Sequence, residues 1–422
     1  MRQRAASIIG AFPPQRFAVA PPLRVLHSIH LANDAWGGME KQFANLLQAT
    51  RGDPRIAHYL CEDLSSPAAG VIAALPALAA AAQDPKRWHG MVVPNWRGWR
   101  QRLQAMQARR WGTDVVLSWN RFGDPRPVEL ARRAGAAAVY WERGAAWFVR
   151  RQPPGATFLA GFDRYLANSR ACIALLRHWG VTAPVEVCAP GIWRGPQARQ
   201  WQPRALASHR PLRLGFSARL QSFKGGVLAV HALKILRDRG LDADLQVAGN
   251  GPDLAAMQTQ AARLGVQAQT RFLGRMSAMD DFLGAIDLLL HPALREPYGN
   301  SCAEALVAGV PVVAAAVDGL PEVVDDGVNG YCVIPTLPLA DYAALGGDLR
   351  RIHPLVYRPE LGRVAEAAVP DPQSLADAVQ HIAGDEQRYA AFSSAAVSAA
   401  RRFDFDSHVE QLLRALQAAR PS

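Results

Sequence analysis

The chain has 422 residues, more than one core usually holds at about 100 to 200 residues per domain, so two or three domains are expected. Half of the residues are hydrophobic and a fifth are charged, with no low-complexity tract, which excludes an extended disordered chain. The 47 basic against 36 acidic residues give +11, a balance that permits attraction to phosphates, although scattered solvated arginines explain it more simply, and no nucleic-acid partner is expected.

Five cysteines (Cys61, Cys172, Cys188, Cys302, Cys332) lie far apart with no C-x-x-C pair, so neither a disulfide framework nor a zinc site is expected. Residues 1 to 22 carry arginines but no sustained apolar run before Phe12-Pro13-Pro14, and no later stretch approaches 18 uninterrupted apolar residues. The expectation is a soluble, cytoplasmic protein, with peripheral contact at the inner face of a membrane left open.

In chain order, Leu23 to Ile29 is a short apolar run after Pro21-Pro22; it leads through Ala35-Trp36-Gly37-Gly38 into an amphipathic stretch, Met39 to Leu47. This reads as strand, glycine loop, helix. Further strands are expected at Ile56 to Cys61, Asp114 to Trp119, Ala136 to Trp141, Tyr165 to Ala167 and Val185 to Cys188, separated by helical patterns. Arg194 to Arg210 loses periodicity and reads as an interdomain linker. A second set follows at Leu212 to Phe216, Leu245 to Ala248, Thr270 to Leu273, Ile286 to Leu290, Pro311 to Ala315 and Tyr331 to Val333. Strands alternating with helices imply parallel sheets covered on both faces, with ligands at the carboxyl ends of the strands. Two such sheets place a site in the cleft between them.

The strongest local pattern is Arg295-Glu296-Pro297-Tyr298-Gly299-Asn300-Ser301-Cys302-Ala303-Glu304, followed by Gly309-Val310-Pro311-Val312-Val313-Ala314. It sets two glutamates eight apart across a glycine loop that turns from a strand into a helix. Carboxylates accept paired hydrogen bonds from vicinal hydroxyls, so Glu296 would hold a sugar and Glu304 a ribose, while loop amides and the helix start favour phosphate oxygens. Ser301-x-x-Glu304 taken alone is equally a capping box. A second segment, Gly215 to Gly226, carries Arg219 and Lys224 at a strand-to-helix turn, where two cations can converge on a diphosphate. Gly249-Asn250-Gly251-Pro252 follows the next strand and, by itself, is an ordinary tight turn.

Together these segments resemble glycosyltransferase family 4: the glutamates match its E-x7-E motif, and Arg219-Leu220 with Lys224-Gly225 is similar to its R-L-x3-K-G element. The resemblance implies an α/β, GT-B fold of two Rossmann-like parallel-sheet domains facing a central cleft, at 1–200 and 211–400, with a helix in 405–422 crossing back to the first. It implies a glycosyltransferase that moves a sugar from a nucleoside-diphosphate-sugar donor to a glycan or glycolipid acceptor, with retention and without a metal or cofactor. Lipopolysaccharide or other surface-glycan assembly is a further analogy.

By the same resemblance, Arg219, Lys224 and Glu296 would be catalytic, and Gly37, Gly38, Gly249, Gly251, Tyr298, Gly299, Asn300, Ser301 and Glu304 would bind the donor. Asn168-Ser169 resembles a family turn and is also a plausible helix cap. Two departures stand out. The family's histidine is missing after the strand ending Tyr140-Trp141, where Glu142 or Arg143 would contact the sugar or acceptor instead, and an extra stretch begins near Thr336, which either bears on partner or acceptor recognition or, more simply, is a tolerated surface loop.

Trp96 to Trp111 interleaves tryptophans with arginines, which suits either an acceptor or membrane-surface helix or a half-buried helix with a solvated face. Asp404-Phe405-Asp406 is read as helix-start chemistry. Rival functions are a nucleotide-sugar epimerase and a non-catalytic sugar-nucleotide or polyanion binder.

Overall fold

A computed structural model describes residues 21–31, 37–62, 67–83, 87–88, 91–92, 98–148, 154–195, 199–206, 210–276 and 278–420. The first unit runs β1 (Leu23–Ser28), α1 (Gly38–Ala49), β2 (Ile56–Glu62), α2 (Ala69–Ala74), β3 (Ala80–Gln83), a short pair β4 (Arg87–Trp88) and β5 (Met91–Val92), then α3 (Trp99–Arg110). It continues through β6 (Val115–Trp119), α4 (Arg126–Ala134), β7 (Ala137–Glu142), α5 (Ala156–Leu159), β8 (Arg164–Ala167), α6 (Arg170–His178) and β9 (Val185–Val187). Seven strands form one parallel sheet in the order β3-β2-β1-β6-β7-β8-β9.

The second unit begins with β10 (Leu212–Ser217), α7 (Gly226–Asp238), β11 (Ala243–Ala248), α8 (Leu254–Arg263), β12 (Thr270–Gly274), α9 (Met279–Ala285), β13 (Leu288–His291), α10 (Asn300–Val307), β14 (Val312–Ala315) and β15 (Gly330–Val333). Its parallel sheet has the order β12-β11-β10-β13-β14-β15. Both orders run outward from the first strand in one direction and then reverse, so each sheet has a switch point beside β1 or β10 where loops diverge to leave a crevice.

The central strands are largely apolar because helices cover both faces, with polar residues such as Ser118, Glu142 and His291 near their carboxyl ends. In β6 and β7, Leu117, Val139 and Trp141 join one core while Val116, Ala138 and Tyr140 join the other, the period-two alternation of a strand. After β15 come β16 (Leu337–Pro338), α11 (Asp341–Ala344), β17 (Leu355–Arg358), β18 (Arg363–Glu366), β19 (Ala368–Val369), α12 (Pro372–Ala383), α13 (Glu386–Ala399) and α14 (Phe405–Gln417). Helix α14 returns to the first unit, where Phe405, Val409, Leu412 and Leu416 pack among residues such as Phe43 and Trp141. Each buried leucine there contributes about 1.5–3 kcal/mol of transfer free energy. Asp404 caps this helix, its side chain accepting from the Ser407 N–H at 2.8 Å, as its position in the sequence leads one to expect.

The reading of 336–370 as a surface loop is corrected. β16 pairs with β19, β17 pairs with β18 as an antiparallel ribbon, and Tyr342 and Val356 are buried in the cores of the second unit. The linker is also partly docked: Trp201 is buried and stacked by Arg199 and Arg204, and Arg204 donates to the carbonyls of Leu283 and Ile286. Trp96 and Arg97 lie outside the described residues. The rest of that segment is α3, which buries Ala105 and Ala108 and leaves Trp99 half exposed. Among the described residues, no helix is long and apolar enough to cross a membrane.

Candidate active site

The two glutamates stand at the carboxyl end of β13, on the loop that turns into α10. Gly299 ends that loop with φ +107°, in the left-handed region that favours glycine, and a Cβ there would meet Leu320 at 2.7 Å. Because Gly299 precedes the helix, Ser301 lies inside α10 and does not cap it, so the capping-box reading of Ser301-x-x-Glu304 fails. Glu304 instead accepts from the Lys41 Nζ at 2.8 Å, across the cleft from α1. The first amides of α10 have no partners within the helix, the usual condition at a helix start, and are available for an anion.

Glu296 Oε2 accepts from the Lys224 Nζ at 2.6 Å and from the His291 Nε2 at 2.9 Å. Burial alone would raise the Glu296 carboxyl, but the Lys224 charge and the His291 bond outweigh it and hold the group well below the usual carboxylate range. The ionised oxygen can only accept, so His291 Nε2 donates to it, and Ser301 Oγ is hydrogen-bonded to His291 Nδ1 at 3.3 Å. Cation, carboxylate and imidazole thus form one linked group at the end of β13.

Arg219 is exposed at the cleft; its carbonyl accepts from the Gln221 N–H at 2.7 Å, while among the described residues its guanidinium has no hydrogen-bond or ion-pair partner. The turn Gly249-Asn250-Gly251 lies under it. Leu220 N donates to the Asn250 carbonyl at 3.0 Å, and a Cβ at Gly249 would stand 1.9 Å from the Ala218 carbonyl oxygen. The two glycines therefore brace the Arg219 loop by close backbone approach. Tyr298 is buried in the apolar cluster beneath its loop, so its ring is a packing group.

From the first unit, Gly37 and Gly38 face these loops. A Cβ at Gly37 would be 3.2 Å from the Arg219 guanidinium, and one at Gly38 would be 3.6 Å from the Asn300 amide. Glu40 accepts from the Gly37 N–H at 2.9 Å and fixes the start of α1. Ser169 both caps α6, accepting from the Cys172 N–H at 3.1 Å, and donates to the Pro297 carbonyl at 2.7 Å. The amides of Arg170 and Ala171 donate to Glu322 of the second unit. The Arg295 guanidinium lies 4.5 Å from both the Phe148 and Phe223 rings, joining the units on the same side.

Glu142 is corrected as an acceptor contact. It is fully buried, its Oε1 accepts from the N–H groups of Gly144 (2.5 Å) and Ala146 (3.2 Å), and its Oε2 accepts from the Tyr140 hydroxyl at 2.7 Å. It braces the turn after β7. Arg143 lies over the Trp141 and Trp119 rings, at 4.5 and 5.4 Å, and burial draws its guanidinium down to about 10. Its Nη1 has no hydrogen-bond partner.

Four participants escaped sequence reasoning: Lys41, His291, Asp318 and Glu322. His291 was signalled only by being the one polar residue in Leu288-Leu289-Leu290-His291. Asp318 has φ +46°; its two oxygens accept from the Glu296 and Tyr357 N–H groups, each at 2.9 Å. Burial pushes its carboxyl up to about 8, against those two bonds. Among the described residues, no group of three or more His, Cys, Asp or Glu side chains is placed to hold a metal ion.

Residues 198–344 match the family described as glycosyl transferases group 1. The chain is 30% identical over 265 residues to the D-inositol 3-phosphate glycosyltransferase of Streptomyces scabiei, covering 58% of this chain and 56% of that one. The chain spans about half or less of the length of the curated relatives it first matches. In three dimensions it is similar to Anabaena HepE in complex with UDP and glucose, with TM-score 0.67, 18% identity and coverage of 94% of this chain and 100% of that one. It is also similar to WaaG, a glycosyltransferase involved in lipopolysaccharide biosynthesis, with TM-score 0.59, 16% identity and coverage of 93% and 99%. The protein therefore has the α/β GT-B fold, two Rossmann-like domains across a cleft, and its second domain carries the group 1 glycosyl transferase pattern.

Proposed function

We propose that the protein is a glycosyltransferase that moves a sugar from a nucleoside-diphosphate-sugar to an acceptor hydroxyl in this cleft. The observation that carries the reading is the linked Lys224, Glu296 and His291 group at the start of α10, with Glu304 eight residues on and Gly37 to Lys41 opposite. Glu296 would orient the sugar hydroxyls. Glu304 would exchange its Lys41 partner for the ribose hydroxyls.

Breaking the bond between sugar and diphosphate develops positive charge at the anomeric carbon and negative charge on the leaving phosphate. Arg219, Lys224 and the free amides of Asn300 and Ser301 would stabilise the latter in a cleft partly closed to water. The leaving phosphate can itself accept the proton of the acceptor hydroxyl, and close placement supplies much of the remaining barrier reduction. The scheme uses no metal. Gly249, Gly251 and Tyr298 enter it as supports of the donor loops, and Gly37, Gly38 and Gly299 as points of close backbone approach. Arg143, on the first domain, would meet the acceptor.

The finer reading is a retaining, family 4 enzyme of surface-glycan assembly, working at the cytoplasmic face of a membrane. The motif resemblance supports retention. The likeness of fold to WaaG and the half-exposed Trp99 beside Arg100 and Arg102 support the surface-glycan setting.

The test is thermal stabilisation by UDP, GDP, ADP and their sugar conjugates in the wild type, Glu304→Ala and Arg219→Ala, because a ligand that binds the native state raises apparent stability. A base-selective shift lost in both variants supports the reading. No shift across the panel, from folded protein, refutes it and favours a polyanion binder; hydrolysis or isomerisation of the donor without an acceptor would favour an epimerase.

A further inference from the structure

The stretch 336–370 contacts three parts of the cleft. In its first half, the Tyr342 hydroxyl donates to the Ser222 carbonyl at 2.7 Å, and the Asp348 N–H donates to Ser222 Oγ at 2.8 Å. Ser222 opens the tight turn Ser222–Lys224 that delivers Lys224 to Glu296. In its second half, Tyr357 of β17 makes two bonds with Asp318: Asp318 N donates to the Tyr357 carbonyl at 3.0 Å, and Tyr357 N donates to the Asp318 side chain at Oδ1. The other oxygen of that carboxylate accepts from the Glu296 N–H.

The ribbon β17–β18 also lies against α6 of the first domain, and Val364 packs on that domain's core. Helix α6 is the one whose cap, Ser169, bonds the Pro297 carbonyl next to Glu296.

We propose that residues 336–370 are a positioning strap for the donor site, holding the Lys224 turn through Ser222 and the Glu296 loop through Asp318 while anchored on α6 across the cleft. Asp318 is the relay between ribbon and loop, a positioning residue that touches no substrate. The inference rests on the glycosyltransferase reading and assigns the strap to recognition of the sugar part of the donor. With the ribbon seated on α6, the Glu296 backbone is fixed from both domains at once. Loosening the ribbon then frees the sugar-binding carboxylate more than the phosphate-binding cation.

The experiment compares wild type with Asp318→Asn, Val364→Ser and Tyr342→Phe by isothermal titration with UDP, GDP and ADP and their glucose conjugates, and by amide hydrogen exchange in the ligand-free protein. Asp318→Asn leaves one N–H without an acceptor, so the affinity for the preferred sugar nucleotide is expected to fall about tenfold while that for the bare diphosphate stays within about twofold. Val364→Ser should move in the same direction by about threefold, with faster exchange at residues 295–299. Tyr342→Phe, acting on the Lys224 turn, should weaken both ligands alike.

A merely destabilised fold would not separate sugar nucleotide from diphosphate. If the Asp318 variant does not fold, the Val364 variant carries the comparison. The proposal is overturned if folded Asp318→Asn and Val364→Ser keep the wild-type ratio of the two affinities, or if exchange at residues 295–299 is unchanged in Val364→Ser. Failure of the wild type to bind any of the six ligands would overturn the function reading itself, and with it the strap's role in sugar recognition.

Discussion

Lys224→Met should destabilise the second domain far more than a surface lysine would, and Glu296→Gln in the same chain should restore about half of the loss. The ion pair is 2.6 Å long and its side chains are 16% and 13% exposed, so the attraction is weakly screened. Removing one partner of such a pair costs about 3–5 kcal/mol, because the remaining charge is left buried. Here the His291 bond persists at 2.9 Å, which places the single variant near the low end, about 3 kcal/mol.

The double variant, Lys224→Met with Glu296→Gln, buries no charge at this point and should cost about 1–2 kcal/mol, well short of the sum of its two single changes. The defect should also depend on pH. In the wild type the Glu296 carboxyl is held below its unfolded value, so its stabilisation is present at neutral pH and is lost only as pH falls through the depressed folded pKa. Without Lys224, burial pushes the carboxyl the other way, so the penalty should be larger at pH 7.5 than at pH 5, as falling pH protonates the group and removes the buried charge. Urea unfolding of the four proteins at both pH values, followed by tryptophan fluorescence, measures this. Additivity of the two single changes within about 0.5 kcal/mol would refute the coupled-pair argument.

Other consequences are equally direct. The buried relay runs from the Trp119 indole N–H to His27, from His27 to His58 and from His58 to Thr50, at 3.0, 2.8 and 2.8 Å, so each imidazole is held neutral. Burial draws His58 down to about 4 from an ordinary 6.5, so its contribution is complete above pH 6.5 and falls as pH drops toward 4. The stability advantage of the wild type over His58→Gln should therefore shrink by about 2 kcal/mol between pH 8 and pH 5 in paired urea titrations, and a constant difference would contradict the relay. Gly249→Ala places a methyl 1.9 Å from the Ala218 carbonyl at φ +143° and should cost about 3 kcal/mol or more while displacing Arg219, read as lost nucleotide-induced stabilisation. Lys41→Met breaks a half-exposed pair, so it should change stability by less than about 1 kcal/mol, and a larger loss would make Lys41 a structural residue.

Much of the architecture could be read from local pattern. Runs such as Val115 to Trp119, broken only by Ser118, and Val312 to Ala315 are apolar because both faces of a parallel sheet are covered, and turns bound them. Strand β3 escaped because Ala80-Ala81-Ala82-Gln83 carries no β-branched or aromatic residue, and β2 alone recruits it as an edge. The Glu296 and Glu304 pair stood out because its chemistry lies within one loop. Lys41 could not be found that way: it meets Glu304 across 263 residues of sequence, and nothing in the helical pattern of α1 marks it.

Asp318 and the strap share this limit. The carboxylate of Asp318 is assigned by backbone amides from two distant segments, Glu296 and Tyr357, and β17 and β18 look like an ordinary surface insertion until they are seen docked on α6. Glu142 shows the converse error. A glutamate next to an expected acceptor site invites a functional role, yet its oxygens are used by Tyr140, Gly144 and Ala146 of its own turn.

The central claim is sugar transfer in the cleft, and the most direct measurement is to incubate the protein with donor labelled in the sugar and with a membrane glycan extract. The account predicts label in a covalent glycan product with stoichiometric release of nucleoside diphosphate, abolished by Glu296→Gln in protein that remains folded. Donor that binds but is never consumed, or transfer that survives Glu296→Gln undiminished, would contradict it.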